Sequence, residues 1–282
     1  MRCMSTTSDF LAKVIKGIKN PKKAIAYAFF LINNKFKFTE AARASGRGER
    51  LIIRGDLRSA ENSNDFTTLA HIQRYKWVEP YIKGLRCLDA GCGSGYGAHY
   101  LAKSGAESVI GVDISIQTIN YAKKHYKEQN LVYSQMSVCD LKFKDDYFDA
   151  VVSFDVLEHL NNKDQEIFIS EITRVLNYKG ALYIGCPNAT VSMGNNPHHL
   201  KELTKTEFKS LLQNYFMDIQ VFGQDILING IRQRENWFKY LSSLSDQNLV
   251  ITEEDSDFTF GLIAICQSPK RYKSKLSRVE NR

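Results

Sequence analysis

Two carboxylates around a glycine-rich turn are the first residues in this 282-residue chain whose spacing implies chemistry. Asp89 stands two positions before Gly91 in LDAGCGSGYG (88–97), and Asp113 closes the later segment VIGVD (109–113). Gly91, Gly93 and Gly95 would let the backbone turn tightly and approach a flat or charged ligand with no Cβ in the way, and Cys92 lies inside the same turn. Gly93, Gly95 and Ala98 satisfy the loose G-x-G-x-x-G/A spacing of dinucleotide loops. Asp89 would repel a pyrophosphate but pair with a ligand ammonium. Asp113, about twenty residues beyond the turn, is placed to accept both hydroxyls of a ribose. One carboxylate for an ammonium and another for a ribose suit S-adenosylmethionine better than a nicotinamide dinucleotide. The plain alternative is a strand-to-helix turn that binds nothing.

The flanking segments must position these groups. Residues 86–113 read as apolar strand, glycine turn, helix and second strand, which places a ligand at the carboxyl edge of a parallel sheet. SIQTINYAKKHYKE supplies a helix, LVYSQM a third strand, DAVVSFDVL a fourth, KDQEIFISEITRVL a helix and GALYIGCPN a fifth strand. The alternation predicts an α/β fold: a doubly wound, mainly parallel seven-stranded sheet with an antiparallel edge strand and an N-terminal helical extension. MDIQVFG and FTFGLIAICQS are the expected antiparallel pair. HIQRYKWVEPYI (71–82) reads as a helix leading into the first strand, with Pro80 near its end.

With these motifs in this order, the chain resembles the class I S-adenosylmethionine-dependent methyltransferases, in the small-molecule and glycan-cluster branch whose fourth strand is followed by Glu-His. The likeness rests on LDAGCGSGYG, VIGVD, DLKFKDDYFDAVVSFDVLEHL (140–160) and EITRVLNYKGALYIGCPN (171–188), and covers residues 66–222 most strongly. It implies cofactor contacts from Arg74, Tyr75, Asp89, Gly91, Cys92, Gly93, Gly95, Asp113, Ile114, Ser137, Val138 and Phe154. Ser137 stands where the family often has an acid against adenine, so a hydroxyl or the Val138 backbone would take over that role; Asp140 reads as a turn residue. Asp155 is expected to orient backbone or acceptor groups.

Methyl transfer requires an acceptor lone pair aligned behind the activated methyl group, and a hydroxyl acceptor must also lose its proton. His198 and His199 in NNPHHL are candidate bases, because neutral imidazole accepts a proton near neutral pH. The glycan-cluster pattern Pro-x-His-x-x-x-Leu-Thr, matched by Pro197, His199, Leu203 and Thr204, favours His199; a turn or capping histidine is the alternative. Asn195 and Asn196 are candidate acceptor contacts or an ordinary turn. Glu158 and His159 are assigned either to the acceptor site or to structural bonding, and this lone Glu-His pair is not read as a metal site. The leading acceptor is a sugar or glycan precursor. Competing acceptors are a quinone or other small molecule and, against the charge pattern, RNA. A noncatalytic adenosyl-ligand-binding protein is the competing class.

Charge is unevenly distributed. Residues 1–58 hold 13 Lys/Arg against 4 Asp/Glu (+9) and residues 268–282 hold 6 against 1 (+5), so the stretch between carries −7 of the total +7. An acidic sheet domain with basic ends argues against reading the high pI as nucleic-acid binding. Six cysteines without a close C-x-x-C pair, four of them in or beside expected strands, read as buried thiols rather than zinc ligands. Residues 1–65 read as a basic helical extension and linker, 66–269 as the catalytic domain with an insertion at 224–257 carrying Trp237, Phe238 and Tyr240, and 270–282 as a basic tail. The insertion is expected to be a lid, a dimerisation element or a loop. AIAYAFFLI (24–32) is too short to span a bilayer, so packing on the domain, pairing in a homodimer or peripheral membrane contact are its candidate roles. No signal-peptide-like segment precedes the domain, and a cytoplasmic location, extending to the inner face of the membrane, is expected.

Overall fold

In a computed structural model, residues 66–192, 196, 198–228, 231–232, 246–253 and 259–270 are described. The expectations for the N-terminal extension, the basic tail, Asn195, Pro197 and the aromatic residues Trp237, Phe238 and Tyr240 lie outside the described residues.

Helix α1 (Phe66–Val78) places Leu69, Ile72, Tyr75 and Val78 on one buried face, the three-to-four-residue recurrence that turns an apolar stripe toward a core. Pro80 sits in a short 3-10 turn, Glu79–Tyr81, that leads to strand β1 (Arg86–Ala90). Then follow α2 (Tyr96–Lys103), β2 (Ser108–Asp113), α3 (Ile116–His125), β3 (Leu131–Gln135) and β4 (Phe148–Phe154). A 3-10 turn, Leu157–His159, precedes α4 (Asn162–Val175), which runs directly into β5 (Leu176–Pro187). The remaining elements are α5 (Ala189–Ser192), α6 (Lys205–Gln213), β6 (Phe216–Ile228), β7 (Ile231–Arg232), β8 (Leu249–Thr252) and β9 (Gly261–Pro269).

The strands pair in the order β3-β2-β1-β4-β5-β9-β6-β7, with β8 also on β6. β1 to β5 are mutually parallel, while β9 is antiparallel to both β5 and β6. The doubly wound sheet and its antiparallel edge pair, β6 with β9, are therefore as expected, with β9 lying between β5 and β6. β7 and β8 add to the expected seven strands. They arise because β6 continues through Gln224 to Ile228 into the expected insertion, where Gly223–Ile226 pair with Leu249–Thr252. Among the described residues no helix is long and apolar enough to cross a membrane.

Chain order reverses between β1 and β4, so the loops after these two strands open a crevice at the sheet's carboxyl edge, where ligands of doubly wound folds bind. One core cluster packs α1, α2 and α3 on one sheet face, and a second packs Phe168, Ile169, Ile172 and Val175 of α4 and Phe208 and Leu212 of α6 on the other. Helix starts are marked by side chains: Ser115 accepts from the Thr118 amide, Asn161 from Asp164, and Thr204 forms a reciprocal capping box with Glu207. Cys87, Cys92, Cys186 and Cys266 are buried thiols outside any disulfide, and burial raises the Cys87 thiol to about 12. This agrees with the buried-thiol reading.

Gln224 anchors α1 to the far half of the sheet. It is fully buried, its Nε2 donates to the Ala70 carbonyl (3.0 Å) and to Gln73 Oε1 (2.7 Å), and its Oε1 accepts from Arg74 Nε (2.7 Å). Gln224→Leu would leave several buried polar groups unmatched, so a stability loss of about 2–3 kcal/mol is expected in urea unfolding. A loss below about 0.5 kcal/mol would show that these bonds do not anchor the helix.

Candidate active site

The loop after β1 is held from below. The amides of Gly91 and Cys92 both donate to the Val112 carbonyl (2.8 Å each), tying the turn to the end of β2. Its three glycines adopt positive φ, +82° at Gly91, +53° at Gly93 and +93° at Gly95. A Cβ at Gly91 would lie 2.4 Å from Val156 Cγ2, and one at Gly95 would lie 2.6 Å from Ala122 Cβ and 2.9 Å from the Tyr133 hydroxyl. Packing within the protein thus explains two glycines that the sequence reading assigned to a ligand. Gly93 differs: a Cβ there would meet nothing within 4 Å, so this position faces open space.

Asp113 brackets that space. Its Oδ2 accepts from the Gly93 amide (3.1 Å) and its Oδ1 from the Ser115 amide (2.9 Å). A carboxylate offers about four lone-pair sites, so ribose hydroxyls can add to the same two oxygens. Ile114 beside it is 66% exposed, an apolar surface of the kind a flat base covers. Ser137 and Val138 lie in the loop after β3, whose Met136 amide bonds the Asp113 carbonyl (3.0 Å). The Ser137 hydroxyl accepts from the Cys139 amide (3.2 Å), and Asp140 donates its amide to the Ser137 carbonyl (3.1 Å), the turn expected of it.

Asp89 is 1% exposed, and the Tyr75 hydroxyl donates to its two oxygens at 3.2 and 3.3 Å. Burial raises its carboxyl to about 7, against the lowering effects of Tyr75 and the Ala98 amide and with a further push from Asp113. Asp89 therefore braces α1 and α2 against the loop beside the open space, where the sequence reading had it turned to a ligand. Tyr75 also meets Phe154 edge-on (5.4 Å between centroids) and Tyr96 (5.9 Å). Arg74 is buried: its Nη1 donates to Asp155 Oδ2 (2.6 Å), and its guanidinium carbon lies 5.9 Å from the Phe154 ring centre.

Asp155 has a positive φ of 54° at the exit of β4. Burial would raise its carboxyl, but Arg74 and His71 outweigh that and hold it below the usual range. His71 reaches Asp155 Oδ2 through Nε2 (2.9 Å) and the Tyr96 hydroxyl through Nδ1 (2.7 Å). The sequence reading missed His71, Tyr96 and Gln224, because a histidine, a tyrosine and a glutamine far apart in the chain carry no spacing signal.

The acceptor-side candidates converge beyond β4 and β5. The Glu158 carbonyl accepts from the amides of Leu200 (2.7 Å) and Lys201 (3.2 Å), which pins the His198–His199 segment over the 3-10 turn. The rings of His159 and His199 meet edge-on, 5.1 Å apart. His199 Nδ1 contacts Glu202 Oε1 (2.5 Å), Asn196 Nδ2 lies 3.0 Å from His199 Nε2, and His159 Nδ1 lies 3.0 Å from the His198 carbonyl. His198 itself is exposed and enters this cluster through its backbone. The Glu158 side chain is 1% exposed, and neither of its oxygens has a hydrogen-bond partner among the described residues. Burial, then the nearby Asp155 charge, raises its carboxyl well above the ordinary range. Glu202 was not anticipated; its position three residues after His199 was the available signal.

Residues 88–184 match the methyltransferase domain family. The chain is 34% identical over 182 residues to a "probable S-adenosylmethionine-dependent methyltransferase" of Mycobacterium tuberculosis, covering 62% of this chain and 64% of the relative, less than two thirds of its length. It is 32% identical over 111 residues to a ubiquinone biosynthesis O-methyltransferase of Pelagibacter ubique, covering 39% of this chain and 45% of the relative. A solved SAM-dependent methyltransferase of Archaeoglobus fulgidus shares the fold with a TM-score of 0.53 at 22% identity, covering 72% of this chain and 93% of that one.

Two measurements probe the loop. Gly95→Ala should cost about 1–3 kcal/mol of stability through its positive φ and the clash with Ala122 and Tyr133, whereas Gly93→Ala, strained by its φ but meeting no neighbour, should cost about 1 kcal/mol and lose adenosyl-ligand affinity, because its methyl group projects into the open space. Equal affinity in Gly93→Ala and the parent by calorimetry would remove the ligand from that position.

Asp89 supplies the pH test. Its folded-state value near 7 lies above the unfolded value of about 3.9. Across that window the native state holds more protons, so Asp89's stability contribution is complete below it and is lost as pH rises through 7. A cationic ligand beside the loop favours the carboxylate, so binding should expel a proton, and affinity should rise from about pH 6 to about pH 8 and then level off. Calorimetry in buffers of different ionisation enthalpy reads the released proton. No proton release, or the same release in Asp89→Asn, would contradict this assignment.

Proposed function

We propose that this chain, built on a class I S-adenosylmethionine-dependent methyltransferase domain, transfers a methyl group to a hydroxyl of a sugar or glycan precursor. The observation that carries the cofactor half is the open space at Gly93 beside the Asp113 carboxylate, at the point where strand order reverses. The residues present fit an adenosyl ligand: a carboxylate for the ribose, a glycine for close approach, and the apolar surfaces of Ile114 and Phe154. When bound, S-adenosylmethionine supplies a methyl group already activated on a sulfonium.

The protein's remaining task is to orient the acceptor, exclude water and lower the acceptor's hold on its proton. His199 is assigned that last task. If its Nδ1–H donates to Glu202, Nε2 is left with the lone pair, and the simplest form of activation is direct acceptance of the hydroxyl proton there. Phe154 and Tyr75 wall the site, and Arg74 and His71 hold Asp155 between cofactor and acceptor sides. The basic N-terminal stretch favours an acceptor that carries phosphate or is linked to lipid. The O-methyltransferase named among the partial relatives supports oxygen as the methylated atom and keeps a quinone or other small phenol as the second reading.

A labelled-methyl transfer screen over nucleotide sugars, lipid-linked sugars, phenols, amines and RNA should show transfer to a sugar oxygen. Transfer only to a phenol would select the second reading, and transfer only to nitrogen or RNA would overturn both. His199→Ala should lower turnover about tenfold to ten-thousandfold with adenosyl-ligand affinity unchanged. Asp113→Asn should weaken S-adenosylmethionine and S-adenosylhomocysteine together, and selective binding of NAD would reject the cofactor assignment.

A further inference from the structure

We propose that Glu158, His159 and His199 form a site for a divalent first-row metal ion on the acceptor side of the crevice. One ligand atom from each residue lies within 4.8 Å of those of the other two. Metal bonds of about 2.0–2.2 Å bring neighbouring ligand atoms closer than that limit, so modest side-chain rotation would close the set around an ion. Two imidazoles and a carboxylate are a donor set that suits Mn²⁺, Co²⁺ or Zn²⁺ and leaves coordination positions open.

The surroundings match such a site. A ligating histidine typically donates its other ring N–H to a carboxylate or a backbone carbonyl, which fixes the lone pair on the nitrogen facing the metal. Both histidines have that partner: Glu202 Oε1 for His199 Nδ1, and the His198 carbonyl for His159 Nδ1. Ser192 in turn bonds the other oxygen of Glu202. The Glu158 carboxyl is buried with both oxygens lacking a hydrogen-bond partner among the described residues, an arrangement that a cation would satisfy. The cluster of three does not include Asp155, whose Oδ2 faces Arg74 and His71. The Asn196 amide beside His199 Nε2 would turn away on metal binding.

The inference rests on the proposed methyl transfer to oxygen and recasts His199 from direct proton acceptor to ligand of the ion that activates the hydroxyl. With the ion bound, the His199 lone pair belongs to the metal, and the metal acidifies the acceptor hydroxyl. The hydroxyl proton passes to solvent, the oxygen forms its bond to the methyl carbon, and the carbon–sulfur bond breaks to leave the neutral thioether.

The test uses the untagged full chain, stripped with a chelator and titrated with Co²⁺ while its visible absorption is followed. One Co²⁺ per chain with ligand-field bands is expected. Glu158→Gln and His199→Ala should each weaken Co²⁺ binding at least tenfold, and Glu202→Gln about 10–100-fold. His125→Ala, at the end of α3, should leave binding unchanged. Binding of S-adenosylhomocysteine to each variant reports that the fold is intact. Absence of Co²⁺ binding, or binding indifferent to Glu158→Gln and His199→Ala, would overturn the metal site while leaving the methyltransferase reading standing. Failure of the parent chain to bind S-adenosylhomocysteine would instead remove that reading, whatever Co²⁺ does.

Discussion

The ion pair between Arg74 and Asp155 (2.6 Å) joins the two halves of the site. Arg74 lies on α1 and is steadied by Gln224 of β6; Asp155 lies at the exit of β4, three residues before Glu158. Removing Asp155 would leave the buried Arg74 guanidinium without its charge partner, a cost well above that of a surface pair. His71 shares the same carboxylate oxygen and links it to Tyr96 at the start of α2. One carboxylate thereby fixes how the N-terminal helix covers the crevice and how the turn bearing Glu158 and His159 leaves the sheet.

The glycine loop shows how close packing and ligand access divide a single motif. Gly91 and Gly95 are required where Val156, Ala122 and Tyr133 crowd the turn, while Gly93 faces open space. The Tyr133 hydroxyl donates to the Gly95 carbonyl (2.7 Å), so β3 supports the loop that β1 and β2 create. Asp113 serves both ends, bonding the loop at Gly93 and the start of α3 at Ser115. The same carboxylate that would read a ribose thus also shapes the loop.

Beyond β4 and β5, two loops are fastened to each other. Gln165 Nε2 donates to the carbonyls of Leu157 (2.8 Å), Leu160 (3.3 Å) and Lys201 (3.0 Å), and the Glu158 carbonyl takes two amides from the opposite loop. Satisfying buried backbone groups in this way holds the histidines in register with the 3-10 turn. The rigidity suits a site that must hold its reactants in one alignment.

The sequence by itself determined the sheet and the glycine turn at its carboxyl edge. Strand and helix periods, the glycine turn and the acid closing β2 are local patterns, because backbone geometry and the sheet's crossover rule act over neighbouring residues. The same locality explains why β6 and β9 were legible as strands while β9's place between β5 and β6 was not, since strand order is a long-range choice. Tertiary structure alone decided that Arg74 is buried against Asp155, that Asp89 is turned to Tyr75, and that two of the three glycines answer to packing. It also brought His199 to the Glu-His pair forty residues earlier, which sequence had left as a lone motif. Burial and electrostatic partnership depend on which distant segments share a crevice, and no spacing along the chain encodes that.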